Sequence, residues 1–250
     1  MIVARPKISV CMAAFQGERY VAAQLRSILV QLSENDEVIV IDDHSSDRTC
    51  EEVRTLGDAR VHLIERDTNQ GVAKSFEEAL SHARGQVVFL SDQDDLWAAG
   101  KAATVLQAFE RHPEVALVAT DAALIDEDGV RVGSSYYAAR GRFRPGFLSN
   151  MIRCKFLGCT MAFRSELLSR VMPFPRECDV HHDIWIGVVN AITSGTTLYI
   201  DEPLVCYRRH SGNVTGSKLS SMRQSRARWH LLKAVANFWV RERLGGRAGA

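Results

Sequence analysis

The stretch that most restricts the fold is Val87-Val88-Phe89-Leu90-Ser91-Asp92-Gln93-Asp94-Asp95-Leu96-Trp97, where an apolar run gives way to three carboxylates within four residues. A run of this kind suits a strand buried on both faces. Its acidic end then lies at the C-terminal edge of a sheet, and in open α/β sheets that edge is where ligands bind. Clustered carboxylates repel one another unless a cation or hydrogen-bond donors satisfy them. The stretch therefore points to a divalent metal carrying a phosphate-containing substrate.

The residues before it alternate between strand and helix patterns. Strands are expected at Lys7–Ala14, Glu37–Ile41, Val61–Glu65, Val87–Ser91 and Val115–Thr120. Helices are expected at Tyr20–Leu32, after a capping box of Thr49 and Glu52, at Val72–Ala83 and at Lys101–Arg111. Such an order implies an α/β fold with a mostly parallel sheet flanked by helices on both faces.

The second half is less regular. Asp126-Glu127-Asp128-Gly129 is a hairpin turn within Leu124–Val132, and the polar, aromatic stretch Ser134–Pro145 is expected to be mobile. Phe156–Phe163 is expected as a strand, His182–Ala191 as a short helix, and Leu198–Tyr207 as strand material interrupted by Pro203. Lys218–Leu244 has the pattern of a long amphipathic helix, with Leu219, Met222, Trp229, Leu232, Val235, Ala236, Trp239 and Leu244 as its apolar positions.

Composition supports a soluble globular chain, with 46% hydrophobic and 24% charged residues. No apolar run approaches the roughly 20 residues that span a bilayer, and no signal-peptide pattern opens the sequence, so a cytoplasmic location is expected. Six cysteines are scattered without a Cys-x-x-Cys pair, as in a reducing compartment, and argue against a zinc site. Charge is uneven. From Ser217 onward eight cations face one acid, Glu242, a net +7 that leaves −6 on the preceding residues. The tail therefore suits an anionic partner. Either its helix packs its apolar side on the domain, or it makes peripheral contact with an anionic membrane. No nucleic-acid partner is expected.

Three strands end in acidic or polar tips that a parallel sheet brings to one edge: after Ala14, at Asp42-Asp43 and at Asp92–Asp95. Asp43 and Asp92 suit acceptance of hydrogen bonds from a base or from ribose hydroxyls, and Phe15 can pack on a base face. Asp42-Asp43 also fits a plain polar turn. Asp94 is the leading metal-ligand candidate, while Asp95 fits a cap for a helix near Leu96. His181-His182-Asp183 precedes a helical turn, so Asp183 is either an N-cap or a general base. In Tyr207–Gly216, cations and glycines suit a diphosphate. There His210 is either a metal ligand, better matched to manganese than to magnesium, or part of a basic surface loop.

These pieces together resemble a family 2 inverting glycosyltransferase with the GT-A (Rossmann-like) fold. The resemblance runs from about Lys7 to Gly216. It rests on Ile8–Phe15, Val40–Asp47, Asn69-Gln70-Gly71, Asp92-Gln93-Asp94, Gly158–Phe163 and His182-Asp183. Ser91–Trp97 and Tyr207–Gly216 further resemble bacterial rhamnosyltransferase-like members. The resemblance implies that Ala13, Phe15 and Asp43 line a nucleoside pocket and that Asp92 contacts ribose. It also implies that Asp94 holds Mg²⁺ or Mn²⁺ on the diphosphate, with Asp183 as catalytic base. The expected donor is dTDP-rhamnose or a UDP-sugar, and the expected acceptor is a saccharide or a polyprenyl-linked saccharide, in bacterial surface polysaccharide synthesis. Residues 1–216 would form the GT-A domain and 217–250 the basic tail.

Processive members of the family carry Gln-x-x-Arg-Trp. Gln224-Ser225-Arg226-Ala227-Arg228-Trp229 has one residue too many, which points to single addition. Two alternatives stand beside this reading: a non-catalytic nucleotide-sugar-binding or scaffold subunit, and a haloacid-dehalogenase-type phosphatase. A dinucleotide fold is disfavoured, because no Gly-x-Gly-x-x-Gly follows the first strand.

Overall fold

The computed structural model describes residues 5–141, 143, 146, 156–175, 181–193, 195–210 and 221–245. Among these residues, nine strands form one sheet. They are β1 (Ile8–Ala14), β2 (Glu37–Asp42), β3 (Val61–Glu65), β4 (Val87–Asp92), β5 (Leu96–Trp97), β6 (Val115–Ile125), β7 (Arg131–Gly133), β8 (Met161–Arg164) and β9 (Thr196–Arg208). The order is β3-β2-β1-β4-β8-β6-β9-β5, with β7 attached to β6. β1, β2, β3 and β4 pair in parallel, as do β6 and β9, while β8, β5 and β7 run antiparallel to their neighbours.

The helices are α1 (Val21–Leu29), α2 (Thr49–Thr55), α3 (Val72–His82), α4 (Lys101–Arg111), α5 (Tyr136–Arg140), α6 (Leu168–Val171), α7 (His182–Ile192) and α8 (Ser221–Gly245).

Side chains alternate across a strand with period two. Here both alternating sets of the central strands are apolar. Ile8, Val10 and Met12 of β1, Val38 and Val40 of β2, and Val87 and Phe89 of β4 join the core under α1 and α4. Cys11, Ile39, Ile41, Val88 and Leu90 enter the opposite core with α3, α7 and α8. That double burial explains the unbroken apolar runs and forces helices onto both faces. The register pairs Ala13 with Ile41 on one side and with Asp92 on the other, so three strand ends stand level at one edge.

Several local expectations are corrected. No helix starts at Leu96. Leu96 and Trp97 pair instead with Cys206 and Val205 as β5. Asp95 caps nothing: it is buried, and its Oδ1 accepts the backbone N–H of Arg208 at 2.9 Å. The strand expected over Phe156–Phe163 begins only at Met161, because Gly158–Thr160 form a 3₁₀ turn in which Thr160 N–H donates to Leu157 O at 3.0 Å. Thr49 is not the cap of α2: it lies inside the helix, accepts the Gly17 N–H at 2.7 Å and donates to Asp47. The stretch expected to be mobile from Ser134 contains α5, whose Tyr136 and Tyr137 are buried with Phe143 in an edge-to-face aromatic cluster. β6 runs through to Ile125, and the hairpin turn follows as expected, with Asp126 Oδ1 accepting Val130 N–H at 2.8 Å.

The tail helix differs in its face. α8 buries Leu231, Ala234, Val235 and Phe238, with Phe238 edge-on to Trp185. Of the apolar positions expected from the sequence and described, only Val235 is buried, while Trp229, Leu232, Ala236 and Trp239 are exposed. Helix-period spacing places apolar residues on two sides, so the pattern does not reveal which side docks.

Candidate active site

A cavity of about 780 Å³ opens at the level strand ends. Ala13 and Phe15 reach it from the end of β1, Asp43 from β2, Asp92 and Asp94 from β4, Asp183 from the first turn of α7, and His210 from just beyond β9. All seven residues singled out in the sequence therefore line one space. Ser211–Gly216, the remainder of the basic loop, lies outside the described residues.

Phe15 is 44% exposed, an open aromatic face on the cavity wall. Its backbone is held by Gln93, whose Oε1 accepts the Phe15 N–H at 2.9 Å while its Nε2 donates to Phe15 O at 2.8 Å. The loops after β1 and β2 are joined as well: Gln16 N–H donates to Ser45 Oγ, and Gln16 Nε2 donates to Ser46 Oγ, both at 2.9 Å. Gln16 (φ 52°) and His44 (φ 69°) both take the left-handed region, a strained choice for such residues that recurs at functional sites.

Asp43 is 3% exposed, and its carboxylate is already occupied. Oδ1 accepts the Gln70 N–H at 2.9 Å and Arg66 Nη1 at 3.1 Å, and Oδ2 accepts the Gly71 N–H at 2.7 Å. Asp43 thus shapes the 69–71 loop, where Gly71 (φ 89°) leads into α3. Asn69 of that loop lines the cavity. Lys74 is turned away to Glu77.

The acidic floor is strongly interacting. Burial, with the charges of Asp95, Asp94 and Asp183, pushes Asp92 well above the usual carboxylate range. Burial and Asp94 push Asp95 up to about 7. Beneath them Lys101 is buried, donates to Cys159 O at 2.7 Å, and stands 4.4 Å from the Trp97 ring centroid. Burial pulls its ammonium down to about 8. Oxygens of Asp92 and Asp95 and the Cys159 sulfur lie within 4.8 Å of one another.

Two side chains converge at the mouth: His210 Nε2 is 2.8 Å from Asp94 Oδ2. A carboxylate and an imidazole brought together at the edge of a cavity fit a divalent cation, and this donor set suits Mn²⁺ better than Mg²⁺. Arg208 fixes the loop that carries them, with Nε donating to Asp94 O at 2.8 Å and Nη1 donating to Asp126 O and Glu127 O at 3.0 Å.

Asp183 is not the cap of α7; that position is His181. Asp183 Oδ1 accepts the Ile184 N–H at 2.7 Å, and the residue faces the cavity. Its neighbour His182, part of the His182-Asp183 motif, carried no role of its own in the sequence. It is 7% exposed and stacks on Phe76 with centroids 3.8 Å apart, and neither ring nitrogen has a hydrogen-bond partner among the described residues. Gly158 makes room for it, since a Cβ there would stand 2.8 Å from His182 Nε2. Gln93 and His182 share one signal that sequence reading could have used: each is adjacent to an acid already chosen.

A mostly parallel sheet with acids at its carboxyl edge and a closing helix acid is the arrangement of a GT-A fold. Residues 9–171 match the family described as Glycosyl transferase family 2, and the chain belongs to that family. This sets aside the phosphatase alternative. Among solved structures, Staphylococcus aureus TarS 1–349 in complex with UDP-GlcNAc superposes with a TM-score of 0.68 at 19% identity, covering 86% of this chain and 62% of TarS 1–349. The mannosyltransferase PcManGT of Pyrobaculum calidifontis, in complex with GDP-Man and Mn²⁺, gives 0.67 at 22% identity over 94% of this chain and 65% of its own. Among curated relatives, the Escherichia coli UDP-Glc:α-D-GlcNAc-diphosphoundecaprenol β-1,3-glucosyltransferase WfgD is 34% identical over 94 residues, 38% of this chain and 37% of WfgD. The aligned stretch thus spans well under half of that relative. No helix among the described residues is long and apolar enough to cross a membrane.

Proposed function

We propose that this protein transfers a sugar, with inversion, from a nucleotide-sugar donor to a hydroxyl of a saccharide or polyprenyl-linked acceptor in bacterial surface polysaccharide synthesis. The observation that carries this reading is the meeting of Asp94, His210 and Asp183 in one cavity with Ala13, Phe15, Asp43 and Asp92.

In this reading the base of the nucleotide packs on Phe15 beside Ala13. Asp43 keeps the 69–71 wall in place, and Asp92 meets the ribose. Asp94 and His210 would hold Mn²⁺ or Mg²⁺, which would supply positive charge against the diphosphate. Asp183 takes the proton of the acceptor hydroxyl as that oxygen bonds to the anomeric carbon. The bond from that carbon to the nucleoside diphosphate breaks on the opposite face. Residues 1–216 carry the transfer, and 217–250 form a C-terminal appendage. A polyprenyl-linked acceptor would place the protein at the cytoplasmic face of a membrane.

The segments Ser91–Trp97 and Tyr207–Gly216 favour dTDP-rhamnose as donor, while TarS and WfgD are named with UDP-sugars. A thermal-shift screen of nucleotide sugars with and without Mn²⁺ tests both donor and metal, and turnover with lipid-linked acceptors tests the transfer. Stabilisation by UDP-hexoses alone would overturn the rhamnose assignment. Nucleotide binding without turnover on any acceptor would leave a binding subunit in place of an enzyme.

A further inference from the structure

α8 carries two apolar faces, and the fold uses one. Leu231, Ala234, Val235 and Phe238 are packed into the core. Trp229, Leu232, Trp239 and Val240 are 66%, 47%, 45% and 57% exposed. At about 100° per residue these four, with Ala236 between them, fall on one stripe on the far side of the helix from the buried set. The stripe runs about 16 Å along the axis. Exposed Arg226 and Lys233 border it on one side and Arg228 on the other, with Arg243 at its end. The sole acid of the helix, Glu242, stands away from it and is 3.8 Å from Arg170.

We propose that this outer stripe is a docking surface for an anionic lipid bilayer, with α8 lying in the plane of the headgroups. Two tryptophans on one line suit the boundary between headgroups and acyl chains, where an amphipathic ring is best accommodated. The flanking cations match an anionic surface. A second copy of this chain fits less well, because a two-fold contact along the stripe would bring the same cations against one another. The inner face keeps α8 on the domain, through Phe238 on Trp185 and Arg241 donating to Met172 O at 3.0 Å, so the lipid contact requires no unfolding. The inference rests on the geometry of α8 and does not depend on the transfer reading. Vesicle binding is measured without a nucleotide sugar, so the two fail separately.

The test is co-sedimentation of the full chain with vesicles of phosphatidylcholine and phosphatidylglycerol in equal parts, and with phosphatidylcholine alone. Binding to the anionic vesicles at low salt, weakened by added salt, is expected. The double variant Trp229→Ser, Trp239→Ser should stay in the supernatant with an unchanged melting temperature, since both rings are on the surface. Arg226→Glu with Lys233→Glu should lower partitioning by at least about tenfold. Fluorescence gives a second readout. Of the four tryptophans, Trp97 and Trp185 are buried, so a blue shift with vesicles comes from Trp229 and Trp239. Wild type remaining in the supernatant would overturn the proposal, and so would equal binding by the double tryptophan variant. A dimer in sedimentation equilibrium that the same variant breaks, with no vesicle binding, would assign the stripe to a second copy instead.

Discussion

His210 Nε2 stands 2.8 Å from Asp94 Oδ2, although the two residues are 116 positions apart in the chain. β9 ends beside the loop that leaves β4 and delivers an imidazole to an acid of that loop that lines the cavity. If the pair holds a metal, Asp94→Ala abolishes the Mn²⁺-dependent part of nucleoside diphosphate binding. His210→Ala weakens Mn²⁺ binding less, by at least about tenfold. Calorimetric titration of UDP and dTDP with and without Mn²⁺ reads both effects, and unchanged titrations in both variants would sink the metal assignment.

Asp183 gives an independent test of the transfer step. Asn keeps its size and can still accept the Ile184 N–H, but it does not take a proton. Asp183→Asn is expected to lower kcat by about 10²–10⁴-fold while leaving donor affinity near that of the parent. A variant that keeps most of its turnover would reduce Asp183 to a structural group at the start of α7.

His182 makes stability depend on pH. Burial pushes its imidazole down from 6.5 to about 4. Between those values the unfolded chain binds the proton and the folded protein does not. Its contribution to stability is therefore fully present above pH 6.5 and is lost as pH falls toward 4. At about 1.4 kcal/mol per pH unit the loss reaches ~3 kcal/mol. Urea unfolding at pH 7 and near pH 4 should show the wild type losing about 2–3 kcal/mol more than His182→Gln. Equal losses in the two proteins would contradict this account.

Gln93 lines the cavity and holds the backbone of Phe15 through two hydrogen bonds. Removing its two hydrogen bonds in Gln93→Ala frees that backbone while leaving the core intact. Nucleotide affinity is expected to fall by about tenfold, in line with about 1 kcal/mol for a lost hydrogen bond and some loosening of the ring. The melting temperature should change little. Affinity equal to wild type would show that Phe15 needs no such clamp.

The parts of this fold that were legible are those whose cause is local. β1, β2 and β4 are apolar on both faces, so their runs mark them directly, and their acidic ends follow in sequence. The parts that were not legible depend on distant partners. Leu96 and Trp97 become a strand only because Cys206 and Val205 come alongside. Tyr136 and Tyr137 leave solvent because Tyr207, Phe143 and Tyr199 surround them. The candidate site follows the same division. Acids at strand ends could be picked out one by one, whereas the saturation of Asp43 by Gln70, Gly71 and Arg66 depends on how a loop closes. His182 looked like an ordinary neighbour of Asp183 until Phe76 and Gly158 were placed around it.

The clamp made by Arg208 bears on how the chain matures on the ribosome. Asp95 finds the Arg208 N–H, and Asp94 finds the Arg208 guanidinium, only after more than a hundred further residues have been made. The four parallel strands can assemble early: β1 pairs with β2 and β2 with β3, each across a single helix, and β4 then returns to pair with β1. The acidic loop then waits, with like charges crowded together, until β9 arrives. Synthesis thus separates a first half that forms the sheet edge from a later closing step. A nascent chain halted before β9 would be expected to hold the sheet edge open, without the pair that draws His210 to Asp94.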